Sequence, residues 1–273
     1  MIEIIGYEFF QHALIAGFLA SIACGIIGTY VVVKKISFIS GGISHSAFGG
    51  IGLGYLLGFE PLLGAIAFSL ASALGIGIAS RQGEEEDTVI AAMWATGMAM
   101  GVLFISQAPG YAPDLLSYLF GNILFVPTQD LVLMVVLNAV IIGLVYLLYN
   151  EFLAITFDEE FASIMNIPVD RVYLLLLCLI ALTVVMLIRI VGVILTIALL
   201  TIPAAIARQH LTSMHRIMAL ATLLGIVFTF AGIWVSVLAN VPSGAGIILI
   251  GAVAYGISTA AVRLARKPAG VSR

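Results

Sequence analysis

Residues 172–208 read VYLLLLCLIALTVVMLIRIVGVILTIALLTIPAAIAR. Between Val172 and Ala207 the only charged side chain is Arg189. A helix that crosses a bilayer needs about 20 apolar residues, because each adds about 1.5 Å and the hydrocarbon core is about 30 Å thick. The run is too long for one span and just long enough for two, with Arg189 and Gly192 at the join. A soluble domain has nowhere to bury such a segment, so its presence decides the class of fold.

Outward from this run the pattern repeats. Apolar stretches read as spans at 12–33, 43–58, 61–80, 88–106, 131–149, 172–188, 190–207, 217–239 and 245–262. The expected fold is all-α, a polytopic transmembrane helical bundle of eight or nine spans per protomer. Eight would hold if one member of the pair at 172–207 only re-enters the membrane. The whole chain, 1–273, reads as a single transmembrane domain, with 150–171 as a polar loop within it. Of the 273 residues 62% are hydrophobic and 9% charged, against roughly 25% charged in a soluble domain. That balance excludes a soluble enzyme, a disordered chain and a nucleic-acid binder, and makes membrane lipid the surroundings. A β-barrel is excluded too, since its strands alternate over about ten residues.

Charge sets the orientation. With the N-terminus outside and nine crossings, the inner segments hold Lys34, Lys35, Arg81, Arg171, Arg208, Arg216, Arg263, Arg266, Lys267 and Arg273. Only Arg189 is left outside, as the positive-inside rule asks; it is expected to snorkel at the interface. The C-terminus is then inside. The outer segments carry Glu3, Glu8, Glu60, Asp114 and Asp130, and an acidic mouth concentrates cations. The opening MIEIIGYEFF has no basic residue, so the first apolar stretch is expected to be a span rather than a secretory signal. Cys24 and Cys178 lie far apart in apolar runs and read as small buried hydrophobes.

His45 is the clear ionisable group at depth, in ISHSAFGGIGLG (43–54). Such a group is costly in lipid and points to function, although a lone histidine could also serve only to bond a neighbouring helix. Neutral imidazole is a common metal ligand. At helical spacing Gly41, His45 and Gly49 share a face, and the two glycines leave space for an ion. Gly50, Gly54 and Gly58 form a second small-residue stripe for close helix approach. His12, His210 and His215 fall at span ends.

Two polar segments are informative. Acids at 84–87 precede a span, where Asp87 and Thr88 can cap the helix. In FLAITFDEEFASIMNIPVDRVY (152–173) a short amphipathic helix is expected at 158–165. Phe157 and Asp158 open it, Phe161, Ala162, Ile164 and Met165 give it an apolar face, and Asn166 with Pro168 ends it. An acidic helix with one apolar side suits a protein partner better than a lipid surface. The chain has no phosphate-binding GxxxxGK[ST] loop: none of Lys34, Lys35 and Lys267 follows a glycine. If transport is driven by ATP, another polypeptide hydrolyses it.

Five segments in order carry a family resemblance: VVVKKISFISGGISHSAFGGIGLG (31–54), DLLSYLFGNIL (114–124), LAITFDEEFASIMNIPVDRV (153–172), VGVILTIALLTIPAAIAR (191–208) and VPSGAGIILI (241–250). From about residue 12 to residue 262 the chain resembles the integral-membrane permease subunit of the zinc/manganese/iron class of bacterial and archaeal ABC importers. The resemblance implies a homodimer in the cytoplasmic membrane, built around a translocation pathway. It implies two cytoplasmic ATPase subunits docked from inside and an extracytoplasmic metal-binding protein that delivers the ion. The permease would not itself be an enzyme and would hold no stable cofactor. The transported ion would be Zn2+, or else Mn2+ or Fe2+. Phe157, Asp158, Glu159, Phe161 and Ala162 align with the ATPase-coupling region, and His45 with the histidine of the pathway, a transient metal ligand. Family members often carry an Asp where this chain has Gly41, and an acid where it has Asn122. Without those carboxylates the donor set leans toward zinc.

Other classes fit less well. The same architecture could import another metal or a metal chelate. A secondary cation transporter would want paired intramembrane acids or an internal repeat. An intramembrane hydrolase would need a Ser–His pair, and adjacent Ser44 and His45 point about 100° apart on a helix.

Overall fold

In a bilayer every backbone polar group must be satisfied within the protein, and a helix does this one segment at a time. The computed structural model describes residues 6–109, 121 and 123–265, and contains helices but no strand among them. In chain order these are α1 (Glu8–Val33), α2 (Ser37–Leu57), α3 (Pro61–Arg81), α4 (Glu86–Gln107), a 3-10 turn (Ile123–Phe125), α5 (Thr128–Leu147), α6 (Tyr149–Phe157), α7 (Glu159–Ile164), α8 (Val169–His210), α9 (Met214–Ala239) and α10 (Ser243–Ala265). Seven of them, α1, α3, α4, α5, α8, α9 and α10, are long and apolar enough to cross a membrane. The exception among the long helices is α2. Six glycines and four serines dilute its hydropathy, and most of it is covered by other helices instead of lipid. It starts at Ser37, well before the expected Ile43.

The run at 172–208 lies within the 42-residue segment α8, which is two helices that meet at Gly192. Gly192 has φ 79° and ψ 168°, a conformation open in practice only to glycine. A straight helix of that length would be about 63 Å long, yet its two ends lie at the same end of the bundle. Near its start, Asp170 pairs with Arg81 at the end of α3. Near its finish, Arg208 donates to the Val32 carbonyl at the end of α1. The chain therefore reverses at Gly192 into arms 169–191 and 193–210, about 34 Å and 27 Å long. Gly121 presses on the turn: a side chain there would collide with the backbone of Val191 and Gly192.

The core runs through α1, α2, α5 and the first arm of α8, where Phe10, Tyr30, Ile43, Met134, Leu176, Ile180 and Leu187 are all buried. Hydroxyls inside the helices donate to carbonyls four residues back, as Ser21 does to Gly17, Thr29 to Gly25 and Thr183 to Leu179. That pairs these donors in the apolar interior, whereas the hydroxyls of Tyr30 and Ser69 are buried without a partner among the described residues. Cys24 is buried and Cys178 partly so, and both are free thiols. The expected cap at Asp87 and Thr88 is displaced: α4 already begins at Glu86, with Glu85 at the cap position.

Candidate functional site

Glycines let α2 lie against two neighbours at backbone distance. On one side, a Cβ at Gly50 would land on the Gly64 carbonyl of α3, and one at Gly54 would sit 2.7 Å from Pro61 Cα. On the other, a Cβ at Gly52 would sit 2.7 Å from the Gly101 carbonyl of α4. Gly97 of α4 in turn faces the backbone of His45 and Ser46. Small residues allow such approaches, which give van der Waals contact that lipid cannot match. Gly58 departs from the expected stripe. It ends α2 in the left-handed conformation, φ 73°, with nothing near its missing Cβ. The cause is local, because Pro61 at the first position of α3 forces the chain to turn after Leu57.

These contacts fix the surroundings of His45. Its ring stacks on Trp94 of α4, with centroids 4.1 Å apart and planes 14° from parallel. Its Nδ1 is 3.2 Å from Met98 Sδ, one helical turn further along α4. Nε2 has no hydrogen-bond partner among the described residues. The space expected beside Gly41 and Gly49 is filled by aromatic rings. A Cβ at Gly41 would meet Trp94 at 3.0 Å, and one at Gly49 would meet Phe68 at 2.9 Å. No group of three His, Cys, Asp or Glu gathers anywhere among the described residues. One imidazole, with a thioether beside it, is what the site offers a metal ion.

A second cluster lies at the end of the bundle that carries Arg81 and Arg208. Asp158 caps α7, accepting a hydrogen bond from the Phe161 backbone N–H at 2.9 Å. Asn166, with φ 59°, terminates it. Ala162 is fully buried, whereas Phe157, Phe161, Ile164 and Met165 are exposed. Ala162 therefore anchors the segment, and the outward face is made by the larger apolar side chains. Glu159 also turns inward. It bridges Lys34 at the end of α1 and Arg81 at the end of α3, while Lys34 donates to the Ile155 carbonyl as well. A groove of about 800 Å³ opens beside this clamp, lined by Arg81, Glu160, Ile164, Pro168 and Asp170 among others.

Burial alone would raise the Glu159 carboxyl, but hydrogen bonds from Arg81 and Lys34 and their positive charges outweigh it and hold it below the usual glutamate range. A depressed native value means that the clamp's contribution is complete above the unfolded value, about 4.3, and is lost as pH falls through the native one. Backbone amides of 159–164 should therefore keep their hydrogen-exchange protection from pH 7 to pH 5 and lose it only under stronger acid, below about pH 4. Loss of protection already between pH 7 and pH 5 would show that the clamp does not hold the loop.

At the opposite end of the bundle, Arg189, expected from sequence to snorkel at the interface, is ion-paired. It lies 3.1 Å from both Glu60 and Asp130, and so ties the starts of α3 and α5 to the reversal in α8. The only hint of this in the sequence was the set of acids that share its side of the membrane. His12 bonds the Val126 carbonyl at 2.9 Å, His210 bonds Ser258, and His215 bonds Tyr149, so each joins neighbouring segments. Asp114 and Asn122 lie outside the described residues.

Known proteins share both the sequence and the arrangement. A profile of the ABC 3 transport family matches residues 6–262. An uncharacterized membrane protein of Synechocystis is 51% identical, covering 95% of this chain and 93% of the relative. A Chlamydia trachomatis protein named as a probable metal transport system membrane protein is 40% identical, over 90% and 86% of the two chains. The manganese transport system membrane protein MntC of Listeria monocytogenes is 32% identical, over 92% and 90%. Among solved structures, a chain of PsaBC from Streptococcus pneumoniae in complex with Fab superposes with a TM-score of 0.85 at 30% identity, over 94% and 93% of the chains. With nearly the whole length matched in sequence and in helix arrangement, the chain belongs to the ABC 3 transport family and is a multi-pass membrane permease.

Proposed function

We propose that this permease imports a divalent transition-metal ion across the bacterial cytoplasmic membrane, with ATP hydrolysed by a separate subunit. The observation that carries the reading is His45, an imidazole at the middle of a helix that contains no Asp, Glu, Lys or Arg. The names of the relatives from Chlamydia and Listeria support metal as the cargo. Zinc is favoured by the nitrogen donor, and manganese and iron stay within the proposed range. A neutral ligand with no carboxylate beside it binds transiently, and conduction needs binding that is weak enough to release.

The working assembly is two copies of the chain around a shared axis, two ATPase subunits inside and a metal-binding protein outside. Residues 1–273 act as one permease domain that crosses the membrane nine times, counting both arms of α8, with the N-terminus outside and the C-terminus inside. Ten of the eleven basic residues then face the cytoplasm. Residues 150–171 form the coupling loop. Phe157, Asp158, Glu159, Phe161 and Ala162 serve it in different ways: the two phenylalanines touch the ATPase, and the other three hold the helix in place.

Phe161→Asp should reduce co-purification of the ATPase about tenfold or more, as expected when an apolar anchor is lost from an interface. Membrane insertion should be unchanged, because Phe161 is exposed. Unchanged co-purification would place the docking surface elsewhere. The function itself is tested by uptake of metal into vesicles that contain the permease, ATPase and binding protein. Uptake should require ATP, and uptake by the permease alone without ATP would make it a secondary transporter.

A further inference from the structure

Met98 is the part of the His45 environment that the pathway reading leaves unused. An ion bound by an imidazole nitrogen at about 2.0–2.1 Å and by a sulfur at about 2.3 Å for a thiolate, and further out for a neutral thioether, with an angle of about 90–110° between the bonds, would hold the two donors about 3.1 Å or more apart. The 3.2 Å hydrogen-bond contact between His45 Nδ1 and Met98 Sδ already holds the two donors near that separation. Backbone contact brings the two positions together. Gly97, next to Met98, is seated against the Cα of Ser46, next to His45. Trp94 fixes the plane of the imidazole by stacking on it. Trp94 also fills the position one turn before His45, so no donor enters from Gly41.

We propose that Met98 is a second ligand in the metal pathway, and that the imidazole–thioether pair selects borderline and soft ions, zinc above manganese. The proposal rests on the reading of His45 as a pathway residue. Its chemistry is that of the donors: a thioether is polarizable and suits zinc or cuprous copper, whereas manganese prefers carboxylate and water oxygen. Met98 is partly exposed on α4 and within one helical turn of Trp94, so its sulfur can turn toward an ion without disturbing the core. The inference departs from the manganese in the names of some relatives.

The test measures uptake of radiolabelled zinc and manganese from an equimolar mixture, in vesicles that hold the assembled transporter. Met98→Leu conserves volume and removes the sulfur. The zinc-to-manganese ratio should fall about tenfold in Met98→Leu. X-ray absorption of the zinc-loaded wild-type complex should show one sulfur neighbour in the zinc shell, beyond the about 2.3 Å of a thiolate. An unchanged ratio, or a zinc shell without sulfur in the wild type, overturns the proposal. His45→Ala separates the two levels. If it abolishes uptake while Met98→Leu leaves the ratio unchanged, only the thioether ligand is wrong. If His45→Ala transports normally, the pathway reading fails and this proposal with it.

Discussion

Vesicles that carry His45→Ala should take up metal at least about 100-fold more slowly than wild type at matched protein level, since removing the sole strong ligand takes away several kcal/mol of ion stabilisation. The protein should still assemble. His45 is only partly buried, and α2 is held in place by its glycine contacts rather than by this ring. His45→Asn sharpens the result. Asparagine can still hydrogen-bond across helices but binds such ions poorly, so it should fail as completely as alanine. Acidification of wild type should also slow uptake, because a protonated imidazole cannot ligate. Wild-type transport by His45→Asn would reduce the histidine to a bond between helices and sink the pathway assignment.

The second large effect concerns folding. Gly50→Ala places a methyl group on the Gly64 carbonyl, a backbone atom that cannot swing aside. Overpacking against movable side chains costs about 1–3 kcal/mol, and here two helix backbones must part, so the loss should reach about 3 kcal/mol or more. Yield of monodisperse protein should collapse, and thermal unfolding of what remains should shift down by several degrees. Gly143→Ala is the control, because nothing lies within 4 Å of its missing Cβ. Gly58→Asn should also be tolerated, since asparagine accepts the left-handed conformation. Equal yields for Gly50→Ala and Gly143→Ala would show that α2 and α3 are not in close contact.

Much of this architecture is legible in the sequence because lipid imposes a simple rule on helix length and polarity. The pair at 172–208 was readable as two segments, since Gly192 follows closely on Arg189. That the chain reverses at the single residue Gly192 was not, because no polar loop marks it. The close packing of Gly50 and Gly54 followed from their spacing. The same spacing put Gly58 on the stripe, and Pro61 three residues later overrode it. Trp94 and Met98 could not be foreseen as neighbours of His45, because apolar residues on an exposed helix do not announce which helix they meet. Glu159 likewise carried no sign that it would face inward, since Lys34 lies 125 residues away in the chain.

The double seam of glycines along α2 has a mechanical consequence. At Gly50 this helix meets α3, and at Gly52 and opposite Gly97 it meets α4, backbone against backbone, with no soft side chain between. Shear between packed helices draws on small side-chain adjustments, and at Gly50, Gly52 and Gly97 there are none to make. These contacts favour movement of the three helices as one stiff block, which carries the backbone at His45, Trp94 and Met98 together. On the proposed reading of His45, opening and closing of the pathway would come from motion of this block against its surroundings.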